Sequence, residues 1–166
     1  MGWLFGWDSR KSLVRHLVEG NGIKTLKSCS VGNNLWTVQE YTTNEGEQVH
    51  FACLYLIKGP PYGRDDGHGW GYKDVCESMG PNEISFPYTW IDLLTPTDSK
   101  YANEWRARVK ARGEKLQKAK LGSKWRGYGH TFEIIERRSP SSFRAKDEYG
   151  ETWRLTSRNI STMENL

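Results

Sequence analysis

The sequence predicts an α+β protein: an antiparallel sheet of three or more strands with a helix before it and a basic helix after it, then a small C-terminal β unit. Three observations predict this. Residues 13–18 and 100–120 place apolar side chains at helical spacing. Three β-rich runs lie after the first of these, punctuated by Gly32-Asn33-Asn34 and Asn44-Glu45-Gly46. From Tyr128 onward, apolar and polar residues alternate around a hairpin signal.

Asp8 or Ser9 can cap the first helix, whose apolar face is Leu13, Val14, Leu17 and Val18. Gly20-Asn21-Gly22 ends it, because Gly and Asn accept the left-handed conformation. Strands follow at Ile23–Val31, Leu35–Thr43 and Val49–Lys58. The third is apolar at both parities, which places it centrally, covered on both faces, with the first helix over one of them. Gly59–Pro96 holds five of the six prolines and exceeds a usual connection. Its aromatic residues predict an ordered insertion, with a short helical turn over Thr89–Leu94.

The second helix spans Lys100–Lys120, capped by Asp98 or Ser99, with Tyr101, Trp105, Val109 and Leu116 toward one side. Gly113 costs about 1 kcal/mol relative to Ala inside a helix, so a kink or an end is expected there, or an end at Gly122. In the last segment, Phe143–Lys146 and Thr152–Thr156 flank Asp147-Glu148-Tyr149-Gly150, so that Phe143 and Ala145 can pair across to Trp153 and Leu155. Two arrangements stay open for this unit, an extension of the main sheet or a separate SH3-like lobe. The expected division is residues 1–122, carrying the insertion 59–96, and residues 123–166.

Composition bounds the function. The chain has 166 residues, eight Trp and eight Tyr, rings that fill cores or anchor binding surfaces. Three widely spaced cysteines form neither a CxxC pair nor a zinc-spaced cluster, and thiols are expected rather than a Cys29–Cys53 bridge. No signal-peptide or myristoylation pattern opens the chain, and the longest apolar run, Phe51–Ile57, is too short to cross a bilayer. A cytoplasmic protein without a membrane partner is expected.

Charge is uneven. Residues 100–126 hold ten Lys or Arg against two acids, a net of +8; the chain totals +4, so the remainder carries −4. Arg106, Arg108, Lys110, Arg112, Lys115, Lys118, Lys124 and Arg126 are therefore the candidates for contacting nucleic acid or an acidic protein surface. A merely solvated outer face is the alternative. The order helix, three strands, helix also parallels the double-stranded-RNA-binding topology.

The stretch GHGWGYKDVCESMGP, residues 67–81, reads as a loop. Lys73, Asp74 and Glu77, with His68, Tyr72 and Ser78, would be the acids, bases and nucleophiles of an enzyme. Asp74 and Glu77, joined by Asp65 or Asp66, could hold magnesium. No GxSxG, HExxH, P-loop or Cys–His–Asp pattern is present. The structural alternative has the glycines turning the chain, the rings packing on the sheet, Lys73 pairing with an acid and Cys76 buried. No catalytic residue, metal or cofactor is assigned, and a binding module is favoured over an enzyme. Trp70 and Tyr72 then serve as stacking or anchor residues beside the basic surface.

The start MGWLFGW, the central GWGYKDVCESMGP and the following FPYTWIDLL resemble a family of small bacterial proteins carried on phage, prophage and plasmid elements, with no assigned activity. The resemblance implies an accessory protein of a mobile element. The first expectation is a binding module that contacts nucleic acid or an acidic host protein through its basic helix. The alternatives are a protein-binding inhibitor of a host defence system and a metal-dependent enzyme using residues 67–81.

Overall fold

The computed structural model describes residues 3–6, 23–32, 34–56, 68–74 and 84–166. The expected first helix lies outside them, as do Asp65, Asp66, Cys76, Glu77, Ser78 and the side chains of His68 and Trp70. The class is α+β, with two antiparallel sheets and a long helix after the first. The chain divides into two compact units, residues 1–109 and 110–166. This division falls inside the long helix rather than after residue 122. Trp105 and Val109 belong to the first core, whereas Leu116 and Ala119 pack with the second.

In the first unit, β1 (Trp3–Gly6), β2 (Lys24–Val31), β3 (Asn34–Thr42), β4 (Gln48–Leu56) and β5 (His68–Lys73) form a sheet in the order β1-β5-β4-β3-β2. β4 is central, as its two apolar parities predict. Two features depart from expectation. Residues 68–73 form a strand rather than a loop, with Tyr72 opposite Leu54, Trp70 opposite Leu56, and Gly69 and Gly71 opposite Phe5 and Trp3. The three-stranded double-stranded-RNA-binding pattern is likewise replaced by five strands, because β5 and β1 extend the sheet beyond β4.

One face of this sheet presents Trp36, Val38, Ala52, Leu54 and Leu56 to Phe86, Leu94, Trp105 and Val109. Trp36 stacks on Trp105 at 5.8 Å, Phe86 meets both rings edge-on, and the Trp36 indole donates to Ser85 Oγ at 2.8 Å. Burying rings of this size is worth several kcal/mol each, on the order of 25 cal/mol per Å² of apolar area. The opposite face is also buried and partly polar: the Tyr55 hydroxyl donates to Gln39 Oε1, and Gln39 Nε2 donates to Thr25 Oγ1. Cys29 and Cys53 carry thiols rather than a bridge.

A 3₁₀ turn at Tyr88–Leu93 matches the expected helical turn. Helix α1, Lys100–Lys118, continues unbroken past Gly113, which is buried. Its apolar stripe is Ala102, Trp105 and Val109, continued by Leu116; Tyr101 lies off the stripe and is 62% exposed.

The second unit has its own sheet, β6 (Lys124–Gly127), β7 (His130–Ser139), β8 (Ser142–Asp147), β9 (Thr152–Thr156) and β10 (Glu164–Asn165), in the order β10-β6-β7-β8-β9. It is a meander distinct from the first sheet, and its last strand pairs with its first. Phe143 pairs with Leu155 and Ala145 with Trp153, as the hairpin signal predicts. Trp125, Phe132, Ile134, Phe143 and Leu155 form the core with Ile160 and Met163. Helix α2, Ser157–Thr162, starts with a capping box between Thr156 and Asn159.

Tyr128-Gly129 closes the β6–β7 hairpin with φ of 54° and 81°, a pair that suits a type I′ turn. A tyrosine in the left-handed region is strained. Here its ring is fixed: Oη accepts from Asn159 Nδ2 and lies 3.1 Å from Thr162 Oγ1. Thr162 gives its own proton to the Asn159 carbonyl, so Tyr128 donates to Thr162.

Candidate nucleic-acid interface

Arg106 is not part of an open basic flank. Its Nε donates to Asp74 Oδ2 at 2.6 Å and its Nη1 to the Thr95 carbonyl at 2.7 Å, with both partners of the ion pair buried. Asp74 follows β5 directly and prolongs its pairing with β4. Its N–H donates to the Ala52 carbonyl, and its Oδ1 accepts from the Ala52 N–H at 2.7 Å. Burial pushes the Asp74 carboxyl above its ordinary value, while Arg106 and the Ala52 N–H pull it down. A carboxylate so enclosed offers nothing to a magnesium ion or a substrate, so Asp74 does not fill the catalytic role open to it in the sequence. Lys73 lies opposite Cys53 and is half-buried; Glu77 is outside the described residues. Tyr72 packs against the first core and is no exposed stacking platform.

Two further helix cations serve the second unit internally. Arg112 Nη2 donates to Ser157 Oγ at 3.0 Å, and burial lowers its guanidinium pKa. Lys115 Nζ donates to the Ser161 and Met163 carbonyls, both at 3.0 Å, where a cation complements the C-terminal end of α2. Arg108, in the first unit, and Lys110, Lys118, Lys124 and Arg126, in the second, remain exposed.

A fuller basic array lies on the outward face of the second sheet. Residues directly opposite on paired strands share a face. Lys124, Glu133, Lys146 and Thr152 make one row, and Glu136, Arg144 and Arg154 another. Arg126 lies two residues from Lys124 on the same face. The inward parity takes Trp125, Phe132, Ile134, Phe143, Ala145 and Leu155 into the core. Alternation therefore turns Lys124, Arg126, Arg144, Lys146 and Arg154 outward, against Glu133 and Glu136.

Little neutralises these cations. Among the described residues, Arg144, Lys146, Arg154 and Lys124 make no ion pair, and Arg126 meets only the exposed Glu164 at 3.8 Å. Glu136 is engaged by Arg138. Arg144 and Arg154 stand directly opposite each other, a like-charge pairing that destabilises a sheet. The second unit holds thirteen Lys or Arg against seven Asp or Glu, a net of +6, which leaves −2 on the first. Arg144, Lys146 and Arg154 were not singled out from sequence, although their alternation with Phe143, Ala145 and Leu155 carries the signal.

At the far end of the β8–β9 hairpin, the rings of Phe132, Tyr149 and Trp153 surround His130 at 5.6 to 6.1 Å. Asp147 Oδ1 accepts from the Tyr149 and Glu151 N–H groups, and Oδ2 from the Trp153 indole. Burial pushes the Asp147 carboxyl up, but these three donors and His130 together hold it below its ordinary value. No helix among the described residues is long and apolar enough to cross a membrane. Comparison of the chain with family models, curated proteins and solved structures finds no match.

Proposed function

We propose that the chain is a binding module whose second unit lies along a nucleic-acid backbone through the outward face of β6, β8 and β9. The observation that carries this is the outward set Lys124, Arg126, Arg144, Lys146 and Arg154, five cations against Glu133 and Glu136 on the same face, with Arg144 facing Arg154 across the ladder. Cations two residues apart on a strand are about 6.8 Å apart, a step comparable with that between successive phosphates. The described outward positions carry no aromatic ring. Stacking platforms are what single-strand binders use, so this face suits a duplex read through its phosphates, without base specificity. Exposed Lys110 and Lys118 add to the same unit's positive field. The resemblance to proteins of mobile elements supports an accessory role, acting on the element's own nucleic acid or against host defence.

Anisotropy titrations of a labelled duplex across salt test the reading. If each of the five cations contacts one phosphate, log K falls with log salt at a slope of about −4.5. Arg144→Glu with Arg154→Glu should weaken binding at least tenfold. Salt-independent binding, or an unaffected double variant, would remove the proposal. An inhibitor of a host defence protein is the competing reading. It predicts a tight complex with one acidic protein and little affinity for free duplex.

A further inference from the structure

We propose that His130, Asp147 and Glu148 form a binding site for a divalent transition-metal ion. One ligating atom from each lies within 4.8 Å of the other two. Register makes this cluster: β7 and β8 pair Phe132 with Asp147, which brings the start of β7 to the turn that follows β8. His130 and Glu148 each keep a ligating atom that makes no hydrogen bond, and Asp147 keeps a lone pair. His130 Nδ1 is a buried nitrogen with no hydrogen-bond partner, 3.5 Å from Glu148 Oε1. Glu148 engages its other oxygen, Oε2, with the Thr131 N–H at 2.9 Å. Asp147 Oδ1 takes two N–H groups, whereas Oδ2 takes only the Trp153 indole and keeps a second lone pair.

The same hydrogen bonds that occupy part of each carboxylate also orient it, the role outer partners play around metal centres. Bonds of about 2.0–2.2 Å put ligand atoms about 3–3.5 Å apart. The His130–Glu148 separation already meets this, and both side chains are part-exposed and able to close on an ion. An imidazole with two carboxylates favours Mn²⁺, Zn²⁺ or Ni²⁺ over the all-oxygen preference of Mg²⁺ and Ca²⁺. Three protein ligands leave positions open to water or a phosphate oxygen. The site does not depend on the basic face being a nucleic-acid surface.

Mn²⁺ added to ¹⁵N-labelled protein tests it by paramagnetic broadening. The expected result is selective loss of the Thr131, Tyr149 and Glu151 amides and the Trp153 indole at substoichiometric Mn²⁺. Calorimetry should then give one equivalent of Zn²⁺ bound at this site, weakened at least tenfold in His130→Ala and in Glu148→Gln. Glu148→Gln keeps the side chain's size and its acceptor for Thr131, so it removes charge without unfolding the hairpin. No broadening, broadening centred elsewhere, or unchanged Zn²⁺ affinity in both variants would overturn the proposal.

Discussion

The two units use arginine in opposite ways. In the first, Arg106 is buried on the apolar stripe of α1, paired with Asp74 and holding the Thr95 carbonyl. In the second, Arg144 and Arg154 face each other in solvent, and among the described residues neither makes an ion pair. The first arrangement holds a fold together and offers nothing to a partner. The second costs the sheet some stability and leaves both cations open to solvent, which is what the proposed binding role requires. Net charge along a sequence does not distinguish these cases; burial and pairing do.

The largest expected effect breaks the first arrangement. Asp74→Ala leaves the Arg106 charge buried without its partner and should destabilise the first unit by about 3–5 kcal/mol. Faster hydrogen exchange at the β3 and β4 amides would report it, with duplex affinity unchanged. Replacing both partners by apolar residues, Asp74→Leu with Arg106→Met, should recover most of the loss. If Asp74→Ala is silent, the pair has no structural role.

Gly127→Ala is the next step down, in the second unit. A Cβ there would lie 2.5 Å from Met163 Cγ, so the core methionine must move, at about 1–3 kcal/mol. Thermal melts check this, and Met163→Leu in the same chain should change the size of the loss. A smaller effect follows from Arg144→Ala. Removing one of two opposed cations should raise stability by about 0.2–1 kcal/mol while duplex binding falls. A variant that loses both stability and binding would contradict the division between the units.

Acid should act on the second unit through Asp147. Its folded pKa lies below its unfolded one. Its contribution is therefore present above the ordinary carboxylate value of about 3.9 and is lost as pH falls through the lower folded value. The Trp153 indole resonance, followed on acidification, reports that loss, and Asp147→Asn should flatten this part of the acid profile.

Much of the fold was legible, for physical reasons. β3, β4, β8 and β9 carry local alternation and turn residues, and the Asp147–Gly150 turn fixes register between strands close in sequence. β5 and β1 were not legible. GHGWGY has glycine at alternate positions and little intrinsic preference for a strand, and its pairing comes from β4 and from the chain's start, far away in sequence. The basic helix was half legible. Ala102, Trp105, Arg106 and Val109 follow the i, i+3, i+4, i+7 stripe, so the inward position of Arg106 could have been read; its partner Asp74 could not. The outward cations of β8 and β9 follow from alternation alone. The meeting of His130 with Asp147 and Glu148 depends on a strand register that no local pattern gives.

The salt dependence of duplex binding, compared between the natural chain and Arg144→Glu/Arg154→Glu, tests the central claim most directly. The account predicts a steep negative slope for the natural chain, shallower by about 2 in the variant, as two phosphate contacts are lost. Equal slopes, or a natural chain that ignores salt, would contradict it.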